Sequence, residues 1–211
     1  MSNSKNEVLY FSTDIETDGP LPGQNSMLSF ASVVFRESGE VVGSFERNTL
    51  PLPGAYPDVD TTVNFWDKEP EALAYVLQNR VDPSVAMTEY VTWVNSFVGK
   101  KVMVCYPSGF DFTFMYWYMK KFTGGSPFGF SCLDMRSYVS GMRKKTVLHS
   151  GKGSWPRRWA SMLPHSHRAI DDALEQGLSF MLIHNENTRG IGVLDEVRST
   201  VLRSWDRIRG N

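Results

Sequence analysis

The chain has 211 residues, with 41% hydrophobic and 21% charged side chains, a globular balance that excludes disordered, collagen-like and coiled-coil chains. Lys and Arg number 22 and Asp and Glu 23, for a net charge of −1. A molecule that is basic all over is therefore excluded, and any attraction for a polyanion has to come from a local patch.

The length fits one compact domain spanning residues 1–211. The opening MSNSKNEVLYF carries no long apolar run, so neither a secretory signal nor a membrane anchor is expected, and the cytoplasm is the expected location. Cys105 and Cys132 lie in apolar surroundings without metal-ligand spacing and read as free thiols.

Residues 8–15 read as a strand ending in Asp14-Ile15-Glu16-Thr17-Asp18-Gly19, followed by a Gly/Pro loop. Residues 27–35 and 41–45 are apolar runs around Glu37-Ser38-Gly39-Glu40. The three segments predict an antiparallel meander. Residues 48–64, with Pro51, Pro53, Gly54 and Pro57, read as loop. Helical patterning follows over 70–79 and 83–98, with Gly99 as a stop. A short strand over 101–106, an aromatic helix over 110–122 and a strand over 129–133 come next, and Asp134 reads as the N-cap of a helix to about 141. Residues 143–166 read as a basic loop; helices over 167–184 and 193–208 complete the chain. This order predicts an α/β architecture, a mixed sheet with helices on its faces.

Four sites along this order carry chemistry. Asp14 and Glu16 stand two apart on a strand and share a face. Adjacent carboxylates repel unless a proton or a cation lies between them, and at the end of a core-like strand they point to a hard divalent cation. Asp111, at the start of the aromatic helix, reads alone as a cap worth roughly 0.3–1 kcal/mol. It meets the pair if strand 101–106 lies beside the first strand. His167 supplies a group titrating near neutrality, suited to deprotonating a water, and acids follow one turn later in His167-Arg168-Ala169-Ile170-Asp171-Asp172-Ala173. Helical geometry leaves both Asp171 and Asp172 within reach of a site at the sheet edge. His165 reads as surface.

In that order, these residues resemble the DEDDh (DnaQ-like) 3′→5′ exonucleases: Asp14 and Glu16 in the first motif with Thr17 and Gly19, then Asp111, then His167 with Asp172. The resemblance covers about 8–182 and leaves the last helix outside. Asn64-Phe65-Trp66, residues 128–134 and residues 172–177 look closest to microbial and phage members. The resemblance implies a ribonuclease H-like mixed five-stranded sheet flanked by helices, and two Mg²⁺ or Mn²⁺ ions. Asp14 would bridge both ions. Glu16 and Asp172 would complete the site of the ion holding the nucleophilic water, which makes Glu16 catalytic as well as a ligand. Asp111 would hold the second ion, and His167 would be the general base. The family spacing selects Asp172 and leaves Asp171 a solvated neighbour. The implied substrate is the 3′ end of single-stranded RNA or DNA, RNA slightly favoured, and the product a nucleoside 5′-monophosphate. A DNA-preferring repair or proofreading enzyme and an inactive binding module of the same fold are the alternatives.

Residues 143–166 hold Arg143, Lys144, Lys145, Lys152, Arg157 and Arg158, no acid, and interleaved Trp155 and Trp159. Such a strip suits a single strand through phosphate neutralisation and base stacking; Arg157 and Arg158 are the basic candidates. The alternative is a solvated loop with its tryptophans in the core. Asn64, Phe65 and Trp66 are candidates to pack the terminal base, or else anchor a helix start. Thr17, Met27 and Leu28 would line the nucleotide pocket by resemblance, although Met27 and Leu28 equally read as strand core. Phe110 is a further ring candidate, whereas Phe112, Phe114, Met115, Tyr116, Trp117 and Tyr118 read as core. The last helix, with Val193, Leu194, Val197, Val201, Trp205 and Ile208 on one side, is expected to dock on its own domain, with a homodimer contact as the alternative.

Overall fold

The computed structural model describes residues 6–210; the signal-free reading of the first five residues lies outside them. Strands β1 (Val8–Thr17), β2 (Met27–Arg36) and β3 (Val41–Asn48) form the expected antiparallel meander. Strands β4 (Lys100–Cys105) and β5 (Leu133–Asp134) add in parallel on the other side of β1, giving the order β3-β2-β1-β4-β5. The helices are α1 (Val59–Asn64), α2 (Pro70–Val76), α3 (Pro83–Ser96), α4 (Ser108–Thr123), α5 (Met135–Arg143), α6 (Ala169–Arg189) and α7 (Leu194–Arg209). No helix among the described residues is long and apolar enough to cross a membrane.

Strand alternation divides the core into two layers. Leu9, Phe11 and Ile15 of β1 face α3 and α4, packing with Tyr90, Val94, Phe114 and Tyr118. Tyr10 faces the opposite layer with Ala31, Val33 and Phe35 of β2, where α6 and α7 lie. α6 crosses this layer in close contact. A Cβ added at Gly177 would stand 2.3 Å from the Phe35 ring and 2.9 Å from Ser12 Cβ. One residue earlier, the buried Gln176 donates through Nε2 to Ser12 Oγ at 3.1 Å, to the Thr13 carbonyl at 3.2 Å and to the Val104 carbonyl at 3.3 Å. A buried amide so satisfied fixes the helix against β1 and β4 at once. Leu194, Val197, Val201 and Trp205 of α7 are buried in the same layer, and the Val41 N–H at the start of β3 donates to Ser204 Oγ at 2.8 Å.

Three boundaries differ from the sequence expectation. The segment 48–64 contains α1, whose N-cap Asp58 accepts from the Thr61 N–H at 2.8 Å. Six residues with no buried side chain leave no apolar period to read. The strand expected over 129–133 is reduced to Leu133–Asp134, because Gly129 turns at φ 70° and Phe130 is 87% exposed. α6 starts at Ala169 rather than 167, since His167 has a left-handed backbone, φ 53°.

Candidate active site

β4 pairs with β1 only from Val8 to Ser12, so the last residues of β1 run past the end of their parallel neighbour. On the other side, Asp14 and Glu16 face Ala31 and Ser29 of β2, both small. The two carboxylates therefore emerge where the sheet leaves room. The gap beside β4 is filled by Tyr106, Pro107 and the first turn of α4, which carries Asp111. Asp134 anchors this turn by accepting from the Ser108 N–H at 3.1 Å while it caps α5 through the Ser137 N–H at 2.7 Å, the capping role expected of it.

α6 brings the fourth acid. Asp172 lies one turn before Gln176, so the clamp that holds Gln176 to β1 also fixes Asp172 over the strand end. Carboxylate oxygens of Asp14, Glu16 and Asp172 lie within 4.8 Å of one another, and Asp111 lines the same cleft of about 340 Å³. Asp171 is turned aside, accepting from Ser166 Oγ at 3.1 Å and facing Arg168 at 3.7 Å. It is partly buried and ion-paired rather than solvated.

His167 lines the cleft with its ring set edge-on between Phe65, centroids 5.0 Å apart at 88°, and His165, 4.6 Å apart at 74°. His165 is exposed, in keeping with its surface reading, but it also reaches an acid: Nδ1 stands 3.0 Å from Asp172 Oδ1, and this hydrogen bond raises its pKa. His165, His167 and Asp172 form a second group with donor atoms within 4.8 Å. The available signal was the His-x-His spacing, which places both rings on one side of an extended segment. Gln176 was missed as well, because nothing in a helical repeat distinguishes a clamping amide from a solvated one.

The electrostatics of the cleft are those of crowded, buried anions. Burial, then Asp111, Glu16 and Asp172 in that order, raise the Asp14 pKa well above the carboxylate range, with Lys152 opposing. Burial followed by Asp172, Asp111 and Glu69 pushes Glu16 up to about 9. Burial pushes Asp111 up to about 8, against hydrogen bonds from its own and the Ile15 backbone N–H. Asp111 Oδ2 is buried with no hydrogen-bond partner. An all-oxygen set with an orphaned oxygen, costly in itself, fits Mg²⁺ or Mn²⁺.

The expected substrate residues divide. Thr17, Phe65 and Phe110 line the cleft. Trp66 is 3% exposed, and its Nε1 donates to the Thr17 carbonyl at 2.9 Å; it braces the end of β1 from beneath. Met27 and Leu28 are buried in strand core, so of their two readings the core one describes them. Asn64 is exposed at the end of α1 and does not line the cleft. The basic strip folds into three short 3-10 turns, Val147–His149, Lys152–Ser154 and Arg157–Trp159. Trp159 is 1% exposed in the core and Trp155 packs on Tyr106, centroids 5.5 Å apart. Arg158 makes a two-pronged pair with Glu186 at 2.6 and 2.7 Å, and Arg157 lines a separate depression with Lys152 and Glu175. The strip's tryptophans are thus structural, and Lys152 is paired with Glu175 at 2.8 Å.

No protein-family model matches the chain. The 3′-5′ DNA exonuclease Cap18 of Escherichia coli is 28% identical over 186 residues, covering 83% of this chain and 91% of that protein. The nuclease domain of 3′hExo, a DEDDh family member solved with bound rAMP, superposes with a TM-score of 0.58 over 90% of this chain and 96% of that one, at 9% identity. A full-length 3′-exonuclease gives 0.61 over 89% and 84%, at 10% identity. Exonuclease I gives 0.59 over 90% of this chain but 43% of its own, at 13% identity. The fold is therefore ribonuclease H-like, as in these solved structures. The acids and the histidine stand in the chain order of the DEDDh (DnaQ-like) motifs, and in sequence the chain is similar to a 3′-5′ DNA exonuclease.

Proposed function

We propose that the chain, acting as one domain, removes nucleotides from the 3′ end of single-stranded nucleic acid and releases nucleoside 5′-monophosphates. The observation that carries this reading is the convergence of Asp14, Glu16 and Asp172, beside the unpartnered Asp111 oxygen, in the cleft that His167 lines. Asp14, Glu16, Asp111 and Asp172 would hold two divalent cations. Such ions stabilise both the attacking and the leaving oxygen of an in-line phosphoryl displacement. His167 takes a proton from the attacking water through a ring nitrogen. The new P–O bond forms as the P–O3′ bond breaks, and the departing O3′ takes a proton from solvent, so that the shortened strand leaves with a 3′-hydroxyl. Phe65 and Phe110 offer apolar walls for the terminal nucleoside. The left-handed backbone of His167 and its two edge-on rings hold the imidazole in place before substrate arrives.

The sequence-based leaning toward RNA has no counterpart among the cleft residues. The 28% identical relative is called a DNA exonuclease, and this favours DNA as the preferred strand.

Incubation with matched 5′-labelled DNA and RNA oligonucleotides in Mg²⁺ or Mn²⁺ tests the reading. A ladder shortening from the 3′ end is expected, faster for DNA. His167→Ala should lower kcat about 10²–10⁴-fold, the range for losing a general base, with an unchanged circular dichroism spectrum. Unimpaired turnover by that variant would remove His167 from the mechanism.

A further inference from the structure

The aromatic run on α4 read as core in the sequence; Phe114, Met115 and Tyr118 are core, and Phe112 and Trp117 pack against it while staying partly exposed. Asp111, Phe114, Met115, Tyr118 and Met119 are buried, whereas Phe112, Tyr116 and Trp117 are half-buried on the opposite side. With Thr113, Lys120 and Lys121 they form one outward face. Two rows run along it, Phe112-Tyr116-Lys120 and Thr113-Trp117-Lys121, each at a spacing of four. The Phe112 and Tyr116 rings are inclined by 32° with centroids 5.6 Å apart, and Lys121 Nζ lies 4.7 Å above the Trp117 ring. No carboxylate lines the face. Lys120 Nζ donates to the Gly124 carbonyl at 2.9 Å, which keeps its charge at the far end of the helix.

The loop after β1 links this face to the cleft: Gly19 and Pro20 line the cleft, and Gly23 lies so close to Trp117 that an added Cβ would stand 2.7 Å from its ring. Phe110 and Asp111, which line the cleft, belong to the first turn of the same helix. From Asp111 to Lys120 the helix runs about 13 Å, a path that starts at the metal ligands and ends at two positive charges.

We propose that this face of α4 is a stacking platform for the single strand behind its 3′-terminal nucleotide, with bases on Phe112, Tyr116 and Trp117 and phosphates near Lys120 and Lys121. The inference rests on the exonuclease reading for its direction, and its occupant is a single-stranded nucleic acid because partly exposed rings followed by two lysines, with no carboxylate on the face, are the chemistry that such a strand recognises.

The test compares an oligothymidylate of about 20 nucleotides with a trinucleotide too short to reach the platform. Tyr116→Ala and Lys121→Glu should each lower kcat/KM for the long strand about tenfold, while Lys100→Glu, at the opposite end of β4, matches the wild type on both. On the trinucleotide all three should match the wild type. Binding is read separately: the long strand should quench tryptophan fluorescence more than the trinucleotide does, and Trp117→Phe should abolish the difference. Equal effects on both lengths, no effect on either, or a dimer seen by size exclusion that Tyr116→Ala dissolves would overturn the platform. If the wild type cuts neither oligonucleotide, the exonuclease reading fails, and the fluorescence titration still decides the platform.

Discussion

Burial and mutual repulsion raise the pKa of Asp14, Glu16 and Asp111 above the usual carboxylate range, which favours their protonated forms. Their pKa shifts make the bare site a liability whose sign can be worked out. Glu16 titrates at about 9 in the folded chain against an ordinary 4.5, and Asp111 at about 8 against 3.8. The folded state then holds more protons than the unfolded one between these values, so stability falls as pH rises. In chelator, the melting temperature should drop steadily between about pH 5 and pH 9. With excess Mn²⁺ the drop should flatten, and at neutral pH the protein should gain about 2.7 kcal/mol at a hundredfold excess over Kd. Thermal melts across pH, with and without Mn²⁺, decide the matter; a flat chelator profile would mean that the acids are ionised and paired elsewhere. Glu16→Gln should likewise raise the metal-free melting temperature while lowering the response to Mn²⁺.

Among the elements, α6 does most to assemble the cleft, and it does so through Gly177 and Gln176. Gly177→Ala would force a methyl to 2.3 Å from Phe35, lifting the helix and carrying Asp172 away from β1. A loss of roughly 1–3 kcal/mol is expected from the overpacking, together with weaker Mn²⁺ binding although no ligand has changed. Calorimetric titration would show it, and wild-type Mn²⁺ affinity in that variant would mean that α6 does not set the ligand spacing. These two residues also show what a sequence can disclose. The alternation of β1, the stop at Gly99, the cap at Asp134 and the order of acids were readable because each is a local pattern of burial or capping. The reach of Gln176 and the turning of His165 onto Asp172 were not, because both depend on which elements end up adjacent. The basic strip misled for the same reason. Its charge is visible in the chain, but Glu186, which occupies Arg158 and accepts from Trp159 Nε1 at 2.6 Å, comes from a helix well separated in sequence.

For the whole molecule, α7 closes the layer behind the cleft. Its apolar side packs on α6 and β3, and Arg209 near its end stands 4.0 Å from Asp171, the neighbour of Asp172. Trp205→Ala should cost about 3–5 kcal/mol, as large core truncations do, and should reduce the yield of folded protein while leaving kcat per folded molecule near normal. Urea melts and active-site titration separate these two effects; full stability in that variant would mean that α7 is dispensable cover.

The early end of β4 has an effect of its own. A strand hemmed in on both sides could not tolerate acids that must trade protons for cations. By ending its pairing opposite Ser12, β4 leaves the flank of its partner's tip to Tyr106, Pro107 and the first turn of α4. The catalytic berth is thus set by how long one strand is, and extending β4 by a further pair of residues would wall up the harbour without altering a single ligand.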